Sequence, residues 1–221
     1  MAVSKPNHKI MNVAIFTFNP FQENTYILYD DTKECIIVDP GCFENTEKLE
    51  LDNFITANNL KPVRLVNTHC HIDHVFGNKF ISERYNLELE AHQGEIPVLA
   101  SCKRVGEMYG ILYPETSPPI TKFIEEGDAI SFGNTHLEAI FTPGPSPASL
   151  SFFCREANIL IAGDVLFREG VGRSDLPGGD HPTLIKSIKE KLLPLGDEVK
   201  VYPGHGEATT IGWEKKRNPF F

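Results

Sequence analysis

Apolar residues follow two different spacings along this chain, and each spacing predicts a different kind of element. Alternating or continuous apolar runs, which are typical of strands, occur in both halves. They cover residues 13–18, 25–29, 35–38, 62–67, 129–132, 136–141, 149–154, 158–162 and 199–202. Turn pairs such as Asn19-Pro20 and Pro40-Gly41 end the early runs, because these residues favour turns over continued strands.

Helical spacing of apolar residues appears between these strands. It predicts helices over residues 45–59, 73–85, 96–108 and 182–193, and Pro182 suits the first turn of the last one. Each half therefore combines strands with helices that must cover one face of a sheet. The pattern predicts an α/β fold, a four-layer αββα sandwich with two β-sheets flanked by helices. No linker-like segment divides residues 1–221, so we expect a single domain.

Charge and cysteine content narrow the function classes. The chain carries 21 basic and 30 acidic residues, a net charge of −9, and lacks the basic stripe typical of nucleic-acid binding. No apolar run reaches the length of a membrane span, and the five cysteines show no disulfide framework. We expect a cytoplasmic protein that acts on a small molecule, with neither nucleic acid nor a membrane as partner. Composition leaves the oligomeric state open.

The densest chemistry lies in the segment THCHIDH, residues 68–74. His69 and His71 follow a predicted strand two positions apart, so an extended chain projects them to the same side. Asp73 and His74 come where the chain should turn into a helix, which returns both side chains to the strand end. Imidazole nitrogens and carboxylate oxygens together suit a zinc ion.

Two further candidate ligands follow strands of the second half. Asp164 comes directly after Gly163, and His205 lies between Gly204 and Gly206. Glycine allows the sharp backbone turns that place a side chain at a strand end. Taken alone, each segment is more often a plain turn than a ligand position, so their assignment to a metal site depends on their order after the histidine cluster and on resemblance to a known family.

The histidine-rich segment resembles the His-x-His-x-Asp-His motif of the metallo-β-lactamase superfamily. The resemblance continues through DPG at 39–41, GDVLF at 163–167, GRSD at 172–175, PGHG at 203–206 and NPF at 218–220, and so covers nearly the whole chain. Within the superfamily the chain is most similar to the short, single-domain glyoxalase II-like (hydroxyacylglutathione hydrolase-like) branch.

The resemblance implies a two-metal site. It assigns His69 and His71 to a first metal, and Asp73, His74 and His205 to a second. Asp164 bridges the two metals in this scheme. Zinc is the expected cofactor, as one or two ions, with iron or manganese as alternatives.

One position departs from the family pattern. The family segment TPGHSPGS supplies a third histidine to the first metal, whereas residues 142–149 here read TPGPSPAS. Pro145 has no side-chain donor atom, so the second site is expected to be better formed than the first. His92, His136 and His181 are weak candidates for a replacement ligand.

The resemblance also implies a reaction: hydrolysis of glutathione-type or other small thioesters by attack of a metal-bound hydroxide. Asp73 is the candidate catalytic residue, which binds metal and orients the water. Arg168 and Arg173 are candidate anchors for a substrate carboxylate, and His181 is a weaker candidate for substrate contact. The alternatives are a persulfide dioxygenase, a lactone hydrolase, or a catalytically impaired relative because of Pro145.

Overall fold

The computed structural model describes residues 11–111 and 116–221, and strands and helices occur in both halves of the chain. The strands are β1 (Asn12–Phe18), β2 (Glu23–Tyr29), β3 (Glu34–Val38), β4 (Lys61–Val66), β5 (Leu89–Ala91), β6 (Ile120–Phe123), β7 (Ala129–Phe132), β8 (Thr135–Phe141), β9 (Leu150–Cys154), β10 (Ile159–Gly163), β11 (Leu166–Phe167), β12 (Gly170–Val171), β13 (Lys200–Pro203) and β14 (Thr209–Thr210). The helices are α1 (Asn45–Ala57), α2 (Ile72–Val75), α3 (Asn78–Tyr85), α4 (Ile96–Tyr109), α5 (His181–Ser187) and α6 (Ile211–Arg217). Every predicted strand is found, with its ends shifted by at most two residues.

Each half of the chain builds its own six-stranded sheet. The first sheet has the order β1-β2-β3-β4-β5-β6, and the second has the order β14-β13-β10-β9-β8-β7. Strands β3 and β4 are parallel neighbours in the first sheet, as are β10 and β13 in the second. The carboxyl ends of each parallel pair therefore meet at one edge of their sheet, which is where the candidate ligands follow.

Three separate apolar layers hold the sheets and helices together. On β3, Ile37 packs in the layer between the first sheet and its helices, whereas Ile36 and Val38 pack in the layer between the two sheets. In the third layer, Leu160 of β10 packs with Ile188, which follows α5. This alternation follows from the period of two along a strand, and it confirms the predicted αββα sandwich.

The helix predicted over 73–85 is two helices, and this prediction was wrong about its continuity. Gly77 separates α2 from α3, and its N–H donates to the Pro40 carbonyl at 2.7 Å. A Cβ at this position would lie 2.4 Å from Cys42 Sγ. The close approach of the loop after β3 therefore requires glycine here and interrupts the helix.

The helix predicted over 182–193 also differs in detail. Helix α5 ends at Ser187, and the chain continues through a π-helical turn (Ile188–Leu192) and a 3-10 turn (Leu193–Leu195). The elements that the pattern did not predict are β5, β6, β11, β12, β14 and α6, which have seven residues or fewer. Over the described ranges 11–111 and 116–221, none of the helices is long and apolar enough to cross a bilayer.

Candidate metal centre

The candidate ligands lie where the parallel strands of both sheets end. The segment that carries His69 and His71 follows β4, and α2 then presents Asp73 and His74. Asp164 directly follows β10, and His205 comes two positions after β13. The structure thus brings all six predicted ligands together, and their role as ligands stays a prediction.

The first cluster consists of His69, His71 and Asp164, whose ligand atoms lie within 4.8 Å of one another. His69 Nε2 lies 3.0 Å from His71 Nδ1 and 3.8 Å from Asp164 Oδ2. Two imidazole lone pairs at this distance repel each other unless a proton or a cation lies between them. The pair is therefore arranged as two nitrogen donors to one positive centre.

The second cluster consists of Asp73, His74 and His205, which also lie within 4.8 Å of one another. His205 Nε2 lies 3.1 Å from Asp73 Oδ2, and His74 Nε2 lies 3.7 Å from the same oxygen. Asp164 Oδ1 approaches both imidazoles, at 3.4 Å from His74 Nε2 and 3.7 Å from His205 Nε2. Two nitrogens and two carboxylate oxygens thus converge here.

The two carboxylate oxygens of Asp164 face different clusters. Its Oδ2 faces His69 of the first cluster, and its Oδ1 faces His74 and His205 of the second. Asp164 Oδ1 and His74 Nε2 are both buried, and neither has a hydrogen-bond partner among residues 11–111 and 116–221. Buried polar atoms are rarely left unpaired in native proteins, so these two atoms fit a metal ion between them, and the donor set suits zinc or iron.

Hydrogen bonds behind the site fix which nitrogen each histidine presents. The Asp39 carboxylate accepts from Thr68 Oγ1 at 2.6 Å and lies 3.2 Å from His74 Nδ1. His69 Nδ1 lies 3.0 Å from Thr68 Oγ1, and His205 Nδ1 lies 3.1 Å from the Phe21 carbonyl. With their Nδ1 atoms engaged in this way, His69, His74 and His205 turn Nε2 toward the clusters, the arrangement that metal-binding histidines show.

Both histidines of the first cluster have lowered pKa values. Burial lowers the pKa of His69 well below its usual range, and burial likewise lowers the pKa of His71. Both imidazoles are therefore neutral at neutral pH, which is the form that binds a cation.

At the second cluster the carboxylates decide the protonation state. Burial acts to lower the pKa of His74, but Asp164 and Asp73 outweigh it and raise this pKa well above its usual range. Burial acts to raise the pKa of Asp164, yet the nearby His74 holds this pKa far below its usual range. The carboxylates thus require positive charge beside them, which a proton on His74 supplies and a metal ion would replace.

Sequence reasoning missed two buried acids beside the centre. Glu23 is fully buried, accepts a hydrogen bond from Thr25 Oγ1 at 2.9 Å and lies 3.8 Å from His74 Nδ1. Glu95, also fully buried, accepts from the Cys70 N–H at 2.8 Å. Neither acid belongs to a ligand-spaced motif, so their local sequence carries no signal. Asp39 did carry one, because it directly follows a buried strand in the DPG segment.

Pro145 lies close to the chain segment that carries Asp164. Pro145 is buried, and its Cγ lies 3.2 Å from the position that a Cβ at Gly172 would occupy. That position also meets the backbone oxygen of Asp164. The loop that carries Pro145 therefore packs against the strand end that supplies Asp164, and its proline offers no donor atom to the first cluster.

The centre forms the floor of a cavity of about 860 Å³. His71, Asp73, Asp164 and His205 line it, whereas His69 and His74 are fully buried behind them. A cavity of this size accommodates a small organic substrate.

The three candidate substrate residues are placed differently. Arg173 lines the cavity and pairs with Asp175 at 2.9 Å. Arg168 is outside the cavity lining and interacts with Glu207 and the Trp213 ring. His181 is exposed at the first residue of α5 and is also outside that lining. Only Arg173 of the three is placed to meet a molecule in the cavity.

Comparison with known proteins identifies the family. The model of the metallo-beta-lactamase superfamily matches residues 18–205. A probable metallo-hydrolase of Bacillus subtilis, YqgX, is 38% identical over 91% of this chain and 93% of its own length. The hydroxyacylglutathione hydrolase GloC of Haemophilus influenzae is 34% identical over 95% of this chain and 98% of its own.

A solved structure agrees with this assignment. TTHA1623, described in a di-iron-bound form, superimposes with a TM-score of 0.83 at 34% identity and covers 95% of this chain and 100% of its own. The family model spans most of the chain, and both sequence relatives match over nearly their whole length. The chain therefore belongs to the metallo-β-lactamase superfamily of metallo-hydrolases.

Proposed function

We propose that this protein hydrolyses small thioesters, of the glutathione type or related to it, with one or two bound metal ions. The observation that carries the proposal is the pair of facing clusters at the floor of the cavity, with Asp164 between them. The relative named hydroxyacylglutathione hydrolase, which this chain matches along its length, supports a thioester as the substrate class.

The residues of this chain divide the work of binding and orientation. His69, His71, Asp73, His74, Asp164 and His205 would hold the metal. When bound, the metal supplies Lewis acidity, which lowers the pKa of a water molecule and polarises a carbonyl. Asp73 borders both the cavity and the second cluster, so its carboxylate accepts a hydrogen bond from the attacking water and fixes its direction.

The chemical step balances without a strong acid. The water oxygen bonds to the carbonyl carbon, the C–S bond breaks, and the sulfur leaves as a thiolate. One water proton passes to Asp73 and then to solvent or to the thiolate, and the other leaves when the carboxylic acid product ionises. A thiol has a pKa of about 8.5, so its anion leaves at neutral pH without prior protonation. Arg173, which lines the cavity, would anchor a substrate carboxylate.

The direct test measures thiol release from S-lactoylglutathione and from a simple acyl thioester. Purified protein is loaded with zinc, iron or manganese in turn and compared with chelated protein. Asp73→Asn should lower kcat by at least about 100-fold, because a positioned proton acceptor contributes a factor of that order or more. Asp197→Asn is the matched control, since Asp197 makes an exposed ion pair with Lys215. Absence of turnover with all three metals would refute the proposal.

Pro145 bears on the alternatives. The resemblance assigns the persulfide dioxygenase activity to a single metal held by His69, Asp164 and the histidine that Pro145 replaces, so this chain lacks a ligand for it. Lactone hydrolysis needs the same activated water and enters the assay as a second substrate class. A catalytically impaired relative would bind metal weakly and turn over neither class.

A further inference from the structure

The walls of the cavity above the metal centre are mostly apolar. Helix α4 forms one wall, with Val98 and Val105 half-buried on the side that faces the cavity. Three apolar residues from the second half of the chain also line the cavity and are half-buried: Phe167, Val171 and Leu176. Partly exposed apolar side chains that line one cavity gain free energy when an apolar ligand removes them from water.

The apolar wall extends well beyond the reacting atoms. Cavity-lining residues occur on α4 from Pro97 to Tyr109, a distance of roughly 18 Å at the rise of an α-helix. Met108, near the outer end, is 79% exposed. A lactoyl group, with two carbons beyond the carbonyl, leaves most of this wall uncovered.

Two cations stand among these apolar residues. Arg104 of α4 and Arg173 both line the cavity. Arg173 pairs with Asp175, whereas within residues 11–111 and 116–221 Arg104 has no carboxylate at ion-pair distance. The cavity therefore presents an apolar wall together with a cation that an anionic ligand could pair with.

From this combination we infer that the substrate is an acyl thioester whose acyl group is an apolar chain longer than lactoyl, joined to a thiol that carries an anionic group. The inference rests on the proposed function and names the substrate class within it. The acyl chain of the substrate lies along the cavity wall that α4 forms, and Arg104 meets the anionic group of the thiol.

The first test varies the acyl chain at constant thiol. Acetyl, butyryl, hexanoyl and octanoyl thioesters of one anionic thiol are compared with metal-loaded protein. We expect kcat/KM to rise by about fourfold per added methylene, which is the size expected for burying one CH₂ group. A flat or falling series with measurable turnover would overturn this inference and leave thioester hydrolysis intact.

A binding measurement keeps the inference testable without turnover. Calorimetry with acetate, butyrate, hexanoate and octanoate reports the affinity for the carboxylate products. Affinity that rises with chain length supports the apolar subsite even if no thioester is cleaved, in which case only the proposed function fails. Affinity that is independent of chain length would refute the subsite.

A pair of variants on α4 locates the subsite. Val105→Phe narrows the cavity and should lower kcat/KM for the octanoyl thioester by at least about fivefold, while the acetyl thioester changes less than about twofold. Ile96→Phe is the matched control, since Ile96 lies on the same helix and is outside the cavity lining. Met108→Asp is a second variant for the same comparison of octanoyl and acetyl thioesters. Met108 is exposed, so its replacement does not disturb the core. Equal effects on both substrates would refute the placement.

A second pair tests the anionic group. Arg104→Gln should raise KM for anionic thiol carriers by about twofold to fivefold, the effect of one partly exposed charge pair, and leave neutral carriers unchanged. Lys103→Gln removes the same charge from the next position, which is outside the cavity lining. If the two variants behave alike, Arg104 does not contact the substrate, and the anionic half of the inference is wrong.

Discussion

Pro145 stands where the family pattern has a histidine, and its side chain has no donor atom for a metal. It is buried beside the strand end that carries Asp164. If the first cluster lacks only an imidazole, Pro145→His should raise metal content and kcat, because a third imidazole would join His69, His71 and the Asp164 oxygen around a catalytic zinc. Each tenfold gain in rate corresponds to about 1.4 kcal/mol of barrier. Metal stoichiometry and thioester turnover measure the two effects.

The matched control is Pro143→His, which adds an imidazole to the same loop at a position outside the cavity lining. It should raise neither quantity. No gain from Pro145→His over this control would mean that the loop is adapted to the absence of the histidine, and the hydrolase proposal would lose support.

Arg173 allows a second prediction for a single side chain. Arg173→Ala should raise KM for a carboxylate-bearing thioester by about fivefold, the value of a partly exposed charged contact, with little change in kcat. Arg168→Ala is the control, because Arg168 interacts with Glu207 and Trp213 outside the cavity. An unchanged KM in the Arg173 variant would remove this residue from the substrate site.

For individual residues, the sequence predicts the site role of those that belong to motifs. It misses those whose role depends on contacts between segments far apart in the chain. The six candidate ligands follow strands at motif spacing, so their proximity could be predicted. Glu95 contacts Cys70 and Ala148, which lie far from it along the chain. No local pattern encodes such a contact, because it exists only after the segments fold together.

Among the elements, Glu95 joins three segments that meet at the site. Its side chain, next to the start of α4, accepts from the Cys70 N–H in the histidine segment and from the Ala148 N–H and Ser146 Oγ in the proline-rich loop. Burial raises the pKa of this carboxyl above its usual range. The three hydrogen bonds thus stabilise a carboxylate whose burial costs free energy. The same bonds satisfy the three buried donors.

Glu95→Gln should therefore lower the free energy of unfolding by about 1–3 kcal/mol, because an amide places its own N–H groups against a backbone donor and leaves one bond unmade. Denaturant titration measures this change. The control is Glu50→Gln on the exposed side of α1, which should stay within about 0.5 kcal/mol of the parent. Equal stability of the two variants would show that the Glu95 bonds contribute nothing net.

Helix breaks and very short strands are the elements that apolar spacing does not predict. Apolar spacing over 73–85 is helical on both sides of Gly77, and the break follows from the contact with Pro40, which the spacing does not contain. Strand β5 has three residues, too few to display a period. It exists because its neighbours β4 and β6 pair with it on both sides.

Over the whole molecule, the first sheet and the helix after it supply His69, His71, Asp73 and His74, and the second sheet supplies Asp164 and His205. The general architecture could be predicted because it follows from two β-rich halves whose helices need a sheet face to cover. Metal bound here would tie the sheets together and stabilise the folded state by mass action. Its removal should therefore lower the Tm.

The two clusters should not release metal equally. The second cluster has Asp73, His74, His205 and one oxygen of Asp164, whereas the first has two histidines and the other oxygen. Graded chelation should therefore remove one equivalent before the other. His71→Ala should retain one firmly held metal, whereas His205→Ala should lose it. Metal counting by mass spectrometry decides, and equal, tight retention of both ions in the parent would contradict the prediction.

The contact between β2 and the end of β13 has a consequence for the order of folding. Asn24 Nδ2 donates to the Pro203 carbonyl, 179 positions away, and the Asn24 N–H donates to the Gly204 carbonyl at 2.7 Å. His205 therefore reaches the site only after one of the longest loops in the chain has closed, and contacts of such separation form slowly. A nascent chain that has not yet added His205 lacks a complete second cluster. Metal bound at the second cluster would therefore act late, by stabilising the completed fold, and would not direct the early pairing of strands.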